Sequence, residues 1–254
     1  MVSQAHMAAN LASVQARIRA AAGRAGRDPA GVALVAVTKT HPLEVMQAAY
    51  QAGLRHFGEN RVEEGEQKIP AFEAWLAAEL PGEQPPSWHM IGHLQSRKAP
   101  EALAHFDVIH SVDSLKLAER LNRLAERDWP GWRVPVLLEC NVSGEASKHG
   151  FDLSAWGQER VVRTAFVESV GRIAALPHLH VQGLMTMAPV VADPEETRPV
   201  FVALRRVRDA LAEALPGLEL DHLSMGMTDD FEVAIEEGAT LIRVGRAIFG
   251  PRGK

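Results

Sequence analysis

Lys39 is the residue whose surroundings most plainly invite covalent chemistry. It follows Val32 to Val37, six residues that are all Val, Ala or Leu. Such a run reads as a strand buried on both faces, as in parallel sheets. A lysine just past the end of that strand sits at the mouth of a sheet or barrel, where α/β proteins place their chemistry. Partial desolvation there lowers the pKa of an amine and leaves more of it as the free nucleophile. That is what capture of a carbonyl as a Schiff base requires. A lysine at a strand end can also do no more than snorkel to solvent, so the reading depends on what else gathers near it.

Two late segments supply the other half of a site. Leu223-Ser224-Met225-Gly226-Met227-Thr228 gives a strand, a hydroxyl, a glycine and a helix start, and Arg243-Val244-Gly245-Arg246 gives a strand, a glycine and a helix start. Backbone N–H groups at glycines and helix N-termini bind phosphate, and barrels frequently hold phosphate after their seventh and eighth strands. Ser224, Gly245 and Arg246 are the expected phosphate cradle. An eighth strand closes against the first, so a phosphate there and an amine at Lys39 would hold the two ends of one molecule. Pyridoxal 5′-phosphate (PLP), an aldehyde carrying a phosphate, fits that description. Arg243 would then face the pyridine nitrogen. A permanent cation keeps that nitrogen unprotonated and weakens the ring as an electron sink, which favours holding the cofactor over carbanion chemistry.

Other candidates carry less. His89 and His93 stand at i, i+4 spacing, but no Glu follows the first, and Gly92 and the strand setting argue against a helical zinc motif. Cys140 lies within an apolar strand and reads as core. Glu59 and Asp113 are a carboxylate pair that nothing in the spacing demands. Arg205, Arg206 and Arg208 read as a solvated helix face.

The elements that must position these residues alternate. An amphipathic helix over 4–22 carries Leu11, Val14, Ile18 and Ala21 on one face. The strand ending at Lys39 follows, then a helix over 42–52 with Pro42 in its first turn. A strand over 54–57 leads to a helix through Leu76 that Pro70 is expected to break or kink. Strands are expected over 88–92, 106–112, 134–142, 180–185, 220–224 and 240–244. Between them lie a weak helix over 95–104, one capped by Asp113 or Ser114, and long ones over 154–176 and 194–215. A short helix is capped by Thr228, with Asp229 and Asp230 in its first turn, and a last one opens at Gly245. Eight strands alternating with helices imply a parallel sheet with crossovers. The count favours an α/β fold of the (β/α)8 TIM-barrel type with an extra N-terminal helix, as one domain over 1–254. An open doubly wound sheet is the alternative, but it calls for a glycine-rich turn where Thr38-Lys39-Thr40-His41 stands.

Composition bounds the function. The chain has 254 residues, a formal charge of −5 and 46% hydrophobic residues, an ordinary globular balance with no electrostatic reason to bind nucleic acid. No apolar run is long enough to span a membrane. The N-terminus has no signal-peptide core, and the single cysteine excludes an internal disulfide. A cytoplasmic protein is expected.

The motifs VAVTKTHP (35–42), HFGENRVEE (56–64), WHMIGHLQSRK (88–98), HSVDSLKLAERL (110–121), NVSGEASKHGF (141–151), GLMTMAP (183–189), LSMGMTDDFEVAIEEGAT (223–240) and RVGRAIFG (243–250) occur in order along nearly the whole chain. In them the sequence resembles the pyridoxal phosphate homeostasis proteins, single-domain relatives of the alanine racemase barrel. The resemblance implies that Lys39 forms the aldimine with PLP. It implies that Asn60 and Met225 line the ring, that Arg243 faces its nitrogen, and that Ser224, Gly245 and Arg246 hold the phosphate. Arg246 stands where the family has a small hydroxyl residue, and Arg97 where it has Asn. A two-base racemase needs an acid/base on each cofactor face. In alanine racemase a tyrosine from a further domain serves the second face, whereas the one tyrosine here, Tyr50, falls on an outer helix. The expectation is therefore a PLP-binding protein of vitamin B6 homeostasis that buffers or delivers the cofactor, with no dedicated catalysis. PLP-dependent apo-enzymes would be its recipients and the monomer its state. The alternative is a weak racemase-like PLP enzyme acting on amino acids.

Overall fold

The short apolar runs of the sequence become strands. The computed structural model describes residues 4–145 and 147–250; residues 1–3, 146 and 251–254, which the single-domain reading and the 141–151 motif include, lie outside them. The described strands are β1 (Ala33–Val37), β2 (His56–Glu59), β3 (Ser87–Met90), β4 (Val108–Val112), β5 (Val134–Asn141), β6 (Phe151–Asp152), β7 (Leu179–Met185), β8 (His222–Ser224) and β9 (Leu241–Val244). The helices are α1 (Gln4–Arg24), α2 (Leu43–Gln51), α3 (Val62–Glu79), α4 (Ala99–His105), α5 (Leu115–Asp128), α6 (Arg160–Ala174), α7 (Arg198–Ala214), α8 (Phe231–Glu236) and α9 (Arg246–Phe249).

All the described strands pair in parallel; the eight other than β6 each pair with their neighbour, and β9 returns to β1 to close an eight-stranded barrel. The fold is a (β/α)8 TIM barrel with α1 in addition, as the alternation implies. The two-residue β6 extends only the C-terminal end of β5, through Cys140–Phe151 and Asn141–Asp152. Along β1 the period of two sends Leu34 and Ala36 outward to the helices and Val35 inward. Ala36 joins the large core between barrel and helices, while Val35, Leu137, Met185 and Leu241 form a separate cluster. The helix α1 buries Met7, Leu11, Val14, Ile18 and Ala21. It is tied to the end of the barrel by Asn10 donating to Ile248 O at 3.0 Å and by ion pairs Arg17–Glu232 and Arg24–Glu236.

Several local expectations are corrected. Helix α3 runs unbroken through Pro70, which lies on its exposed side while Ile69, Phe72 and Leu76 anchor the buried one. The expected 154–176 helix begins only at Arg160. Residues around Gly157 form successive turns, consistent with the low helix propensity of glycine. Thr228 does not cap α8. Asp230 holds the N-cap position and accepts from the Met227 N–H at 2.6 Å, so Asp229 and Asp230 precede the helix. The 194–215 helix opens with a 3-10 turn, Pro194–Thr197, before α7. Pro42 precedes α2 as its N-cap. Of the two proposed caps of α5, Ser114 is the one used, accepting from Leu117 N–H at 3.3 Å. Among the described residues no helix is long and apolar enough to cross a membrane.

Barrel closure depends on bare backbone at Gly183, where an added Cβ would stand 1.9 Å from His222 O on the paired strand β8. Gly183→Ala must splay β7 from β8. A loss of about 3 kcal/mol is expected, read as a lowered midpoint in urea denaturation at unchanged slope.

Candidate functional site at the C-terminal mouth of the barrel

Lys39 sits two residues past β1, half-buried, in the turn Thr38-Lys39-Thr40. Thr40 has φ 66°, a left-handed conformation that β-branched residues avoid. Strain of this kind costs about 1–3 kcal/mol and persists only where the surroundings impose it. The surroundings here are three charged side chains from β2 and α3. The Thr40 N–H donates to Glu64 Oε2 at 2.8 Å, and Lys68 Nζ donates to Glu64 Oε2 at 2.9 Å, Glu59 Oε1 at 3.0 Å and the Thr38 carbonyl at 3.0 Å. Thr38 Oγ1 also donates to Glu59 Oε1 at 2.7 Å. Burial pushes the Glu59 carboxyl above the usual range despite the pull of Lys68 and Thr38. At the more open Glu64, burial is outweighed by the hydrogen bonds from Lys68 and the Thr40 N–H, and its pKa falls.

Beside Lys39, in-register pairing places Val35 of β1 opposite Arg243 of β9. Lys39, Arg243, Gly245 and Arg246 line one cavity of about 240 Å³, with Val37, His41, Met227 and Thr228. Gly245 eases the close approach of β9 to β1, since a Cβ there would lie 3.2 Å from Val37 O. Arg246 is exposed at the rim and paired with Asp229. Arg243 is 4% exposed. Its Nη1 donates to Ser224 Oγ at 2.6 Å and its Nη2 to the Thr186 carbonyl at 2.9 Å. Burial lowers its pKa to about 10 against the attraction of Asp230 and Glu139, so it remains a cation at neutral pH.

The other expected site residues lie around this cavity rather than in it. Ser224 and Met225 are fully buried, Ser224 behind Arg243 with its hydroxyl engaged by Arg243 and by His110 at 2.9 Å. Asn60 belongs to a neighbouring cleft with Arg61, His93, Gln95 and Arg97, and its Oδ1 is buried without a hydrogen-bond partner. A larger cavity, about 500 Å³, lies near the opposite end of the barrel between Arg133, His180 and Glu219; it holds no nucleophile. His89, read in sequence beside His93, points into the barrel and meets His56 and His110. His93 instead stacks on His149 at 3.9 Å with Asp113 at 3.3 Å. One donor atom from each of His93, Asp113 and His149 lies within 4.8 Å of the others, a spacing a metal ion could bridge, though the two rings stand only 15° from parallel. Tyr50 is 2% exposed and donates to Gln84 O at 2.5 Å, beneath Arg55 and away from the cavity.

Sequence reading missed the brace under Lys39, above all Lys68, whose i, i+4 spacing from Glu64 was the available signal. It also missed Glu139 on β5. Glu139 is 3% exposed with Oε2 unpartnered, and burial, then Asp113, raise its pKa to about 7 against Arg243 and Lys148. A lone Glu inside an apolar strand was the sign.

A family described as alanine racemase, N-terminal domain, matches residues 9–253. A protein of Pseudomonas aeruginosa named pyridoxal phosphate homeostasis protein is 43% identical over 249 residues, 97% of this chain and 96% of its own. A solved structure of an unknown protein from Bifidobacterium adolescentis is similar at TM-score 0.84 and 37% identity, over 97% of this chain and 95% of that one. PipY of Synechococcus elongatus, solved with PLP bound, is similar at TM-score 0.76 and 36% identity, over 96% of this chain and 100% of that one.

Lys68→Met is expected to cost about 2–4 kcal/mol, because it strands buried Glu59, and a Glu59→Met/Lys68→Met double variant should recover part of that loss in chemical denaturation. Glu139 binds its proton more tightly folded than unfolded, so its contribution is present below pH 4.5 and is lost as pH rises toward and through about 7. Melting temperature should therefore decline across that window, and Glu139→Gln should flatten the decline.

Proposed function

The chain belongs to the pyridoxal phosphate homeostasis proteins, on the alanine racemase N-terminal barrel, and from that premise we propose that it binds PLP, holds it on Lys39, and buffers or delivers it. The observation that carries this reading is the meeting of Lys39 with Arg243, Gly245 and Arg246 around one cavity. In a chain of net charge −5, three cationic side chains against one carboxylate, Asp229 paired with Arg246, line that one place, a positive balance that suits a molecule with a phosphate. The unpartnered Asn60 Oδ1 nearby is a second polar group such a ligand would satisfy.

PLP supplies an aldehyde that an amine holds reversibly and a phosphate that cations and N–H groups grip. On the protein side, Lys39 is the amine, and the strained turn braced by Lys68 and Glu64 fixes where it emerges. Gly245 keeps the floor of the cavity thin, and Arg246 offers its backbone N–H whatever its side chain does. The phosphate grip thus does not require a hydroxyl at position 246. Arg243, pinned by two hydrogen bonds, stays cationic and gives no proton to a ring nitrogen facing it. Tyr50 is bonded elsewhere, so the cavity gains no second base from it. These features support storage over racemisation, with apo-enzymes as recipients, a monomeric state and a cytoplasmic location as part of the same proposal.

The visible spectrum of the purified protein tests this. A yellow band that borohydride fixes to the protein, and that Lys39→Ala abolishes, is the expected result; a protein that stays colourless with added PLP overturns it. In deuterated water with added amino acids, α-proton exchange should stay at the rate of free PLP, and rapid exchange would favour the racemase-like alternative.

A further inference from the structure

Three imidazoles in the barrel interior touch one another and neither line the proposed cofactor cavity nor behave as apolar core; a fourth, His222 of β8, acts on all three electrostatically but meets Thr240 instead. His56, His89 and His110 come from β2, β3 and β4. Each stands two residues further along its strand than the register partner of the one before, since His56 pairs with Ser87 and His89 with Val108. The stagger of the barrel turns them into a line. His56 Nδ1 lies 3.1 Å from His89 Nε2, His89 Nδ1 lies 2.9 Å from His110 Nε2, and His110 Nδ1 lies 2.9 Å from Ser224 Oγ. The line starts at half-buried His56, at the N-terminal end of β2, and ends against Arg243 at the mouth.

A neutral imidazole has one N–H donor and one acceptor nitrogen. Burial first, then the neighbouring imidazoles, hold His89 at about 3, and burial, His89 and Arg243 keep His110 well below its ordinary value. Both rings are therefore neutral at physiological pH. Wherever two such rings meet nitrogen to nitrogen, one must donate and the other accept, so the whole line has a single polarity. Its end is the Ser224 hydroxyl, with one hydrogen to give and two lone pairs to receive. Arg243 already donates into it. With all three rings protonated on Nε2, the Ser224 hydrogen is consumed by His110 Nδ1. With all three protonated on Nδ1, His110 donates to Ser224, and the Ser224 hydrogen is left for an anion bound beside Arg243.

We propose that His56, His89 and His110 form a tautomer relay that sets whether Ser224 can donate to the cofactor phosphate. They are positioning residues, and the inference rests on the PLP reading above. The change of state balances. Each proton between two rings crosses to the ring nearer His56, and the Ser224 proton passes to His110. Ser224, which is closed to water, regains one from the monoanion of the arriving phosphate, and half-buried His56 releases one from Nε2 to water at the far end.

The test is tautomer-sensitive proton–nitrogen NMR on protein labelled with 15N-histidine, with and without PLP. All three rings should report Nε2–H in the unliganded protein and Nδ1–H in the loaded one. Mixed tautomers, or the same tautomer in both states, overturn the relay. A wild type that shows no PLP band at all overturns the functional reading instead. As an independent measure, His56→Phe removes the far end of the line. It should weaken PLP about threefold to tenfold, the worth of one hydrogen bond, and leave pyridoxal, which lacks the phosphate, unchanged. His56→Asn, whose amide still donates near the Nδ1 position, should bind PLP as wild type. An equal loss for both vitamers in His56→Phe means a merely structural role and overturns the proposal.

Discussion

The turn that presents Lys39 is held by a charge brace that packs under it. Thr40 adopts a backbone conformation that a β-branched residue would leave if it could. What prevents this is a set of hydrogen bonds that end on Glu59, Lys68 and Glu64. Lys68 lies between two carboxylates and also takes the Thr38 carbonyl. Freeing any one partner would leave a charge in a place that water reaches poorly, and that penalty exceeds the backbone strain. The position of the amine is thereby set by α3 and β2, elements that carry no chemistry themselves.

A second constraint comes from closure of the barrel. Because β9 pairs with both β8 and β1, residues more than two hundred positions apart share one cavity. Lys39 comes from the start of the chain and Arg243, Gly245 and Arg246 from its end. The chain after the last strand lies so close to β1 that a Cβ at residue 245 would press on Val37 O at 3.2 Å. The same closure encloses an interior that is unusually polar for a barrel, where apolar layers are the norm. Val35, Leu137 and Leu241 share the inside with His89, His110 and Arg243. Burial makes each of these polar groups depend on its neighbours, because a lost partner cannot be replaced by solvent.

The electrostatic character of the mouth follows from these neighbours. Arg243 remains charged although buried, since Asp230 and Glu139 offset part of its desolvation. Glu139, in turn, is pushed toward neutrality by burial and by Asp113. Asp229 pairs with Arg246 at the rim. The cavity thus gathers its positive charge in an acidic chain by local pairing, not by overall composition.

The sequence by itself determined the fold and singled out Lys39 as the candidate nucleophile. Strands buried on both faces and separated by amphipathic helices can be satisfied by few arrangements, and the apolar run into Lys39 marks a strand end whatever lies around it. The place of Arg243 and Gly245 at the end of β9 was legible for the same reason, since strand closure brings that end beside Lys39. The limits of α6 and the cap of α8 were not, because the backbone bonds near Gly157 and Gly226 compete with helix continuation and only the packed chain decides between them. The tertiary structure alone decided which polar residues meet. It put Ser224 behind Arg243, Asn60 in a neighbouring cleft, Lys68 beneath Thr40, and three histidines of separate strands in one line. Each of those meetings depends on register and stagger between strands, and a difference of one residue in pairing would turn the side chain to the other face. No pattern within a single strand contains that information.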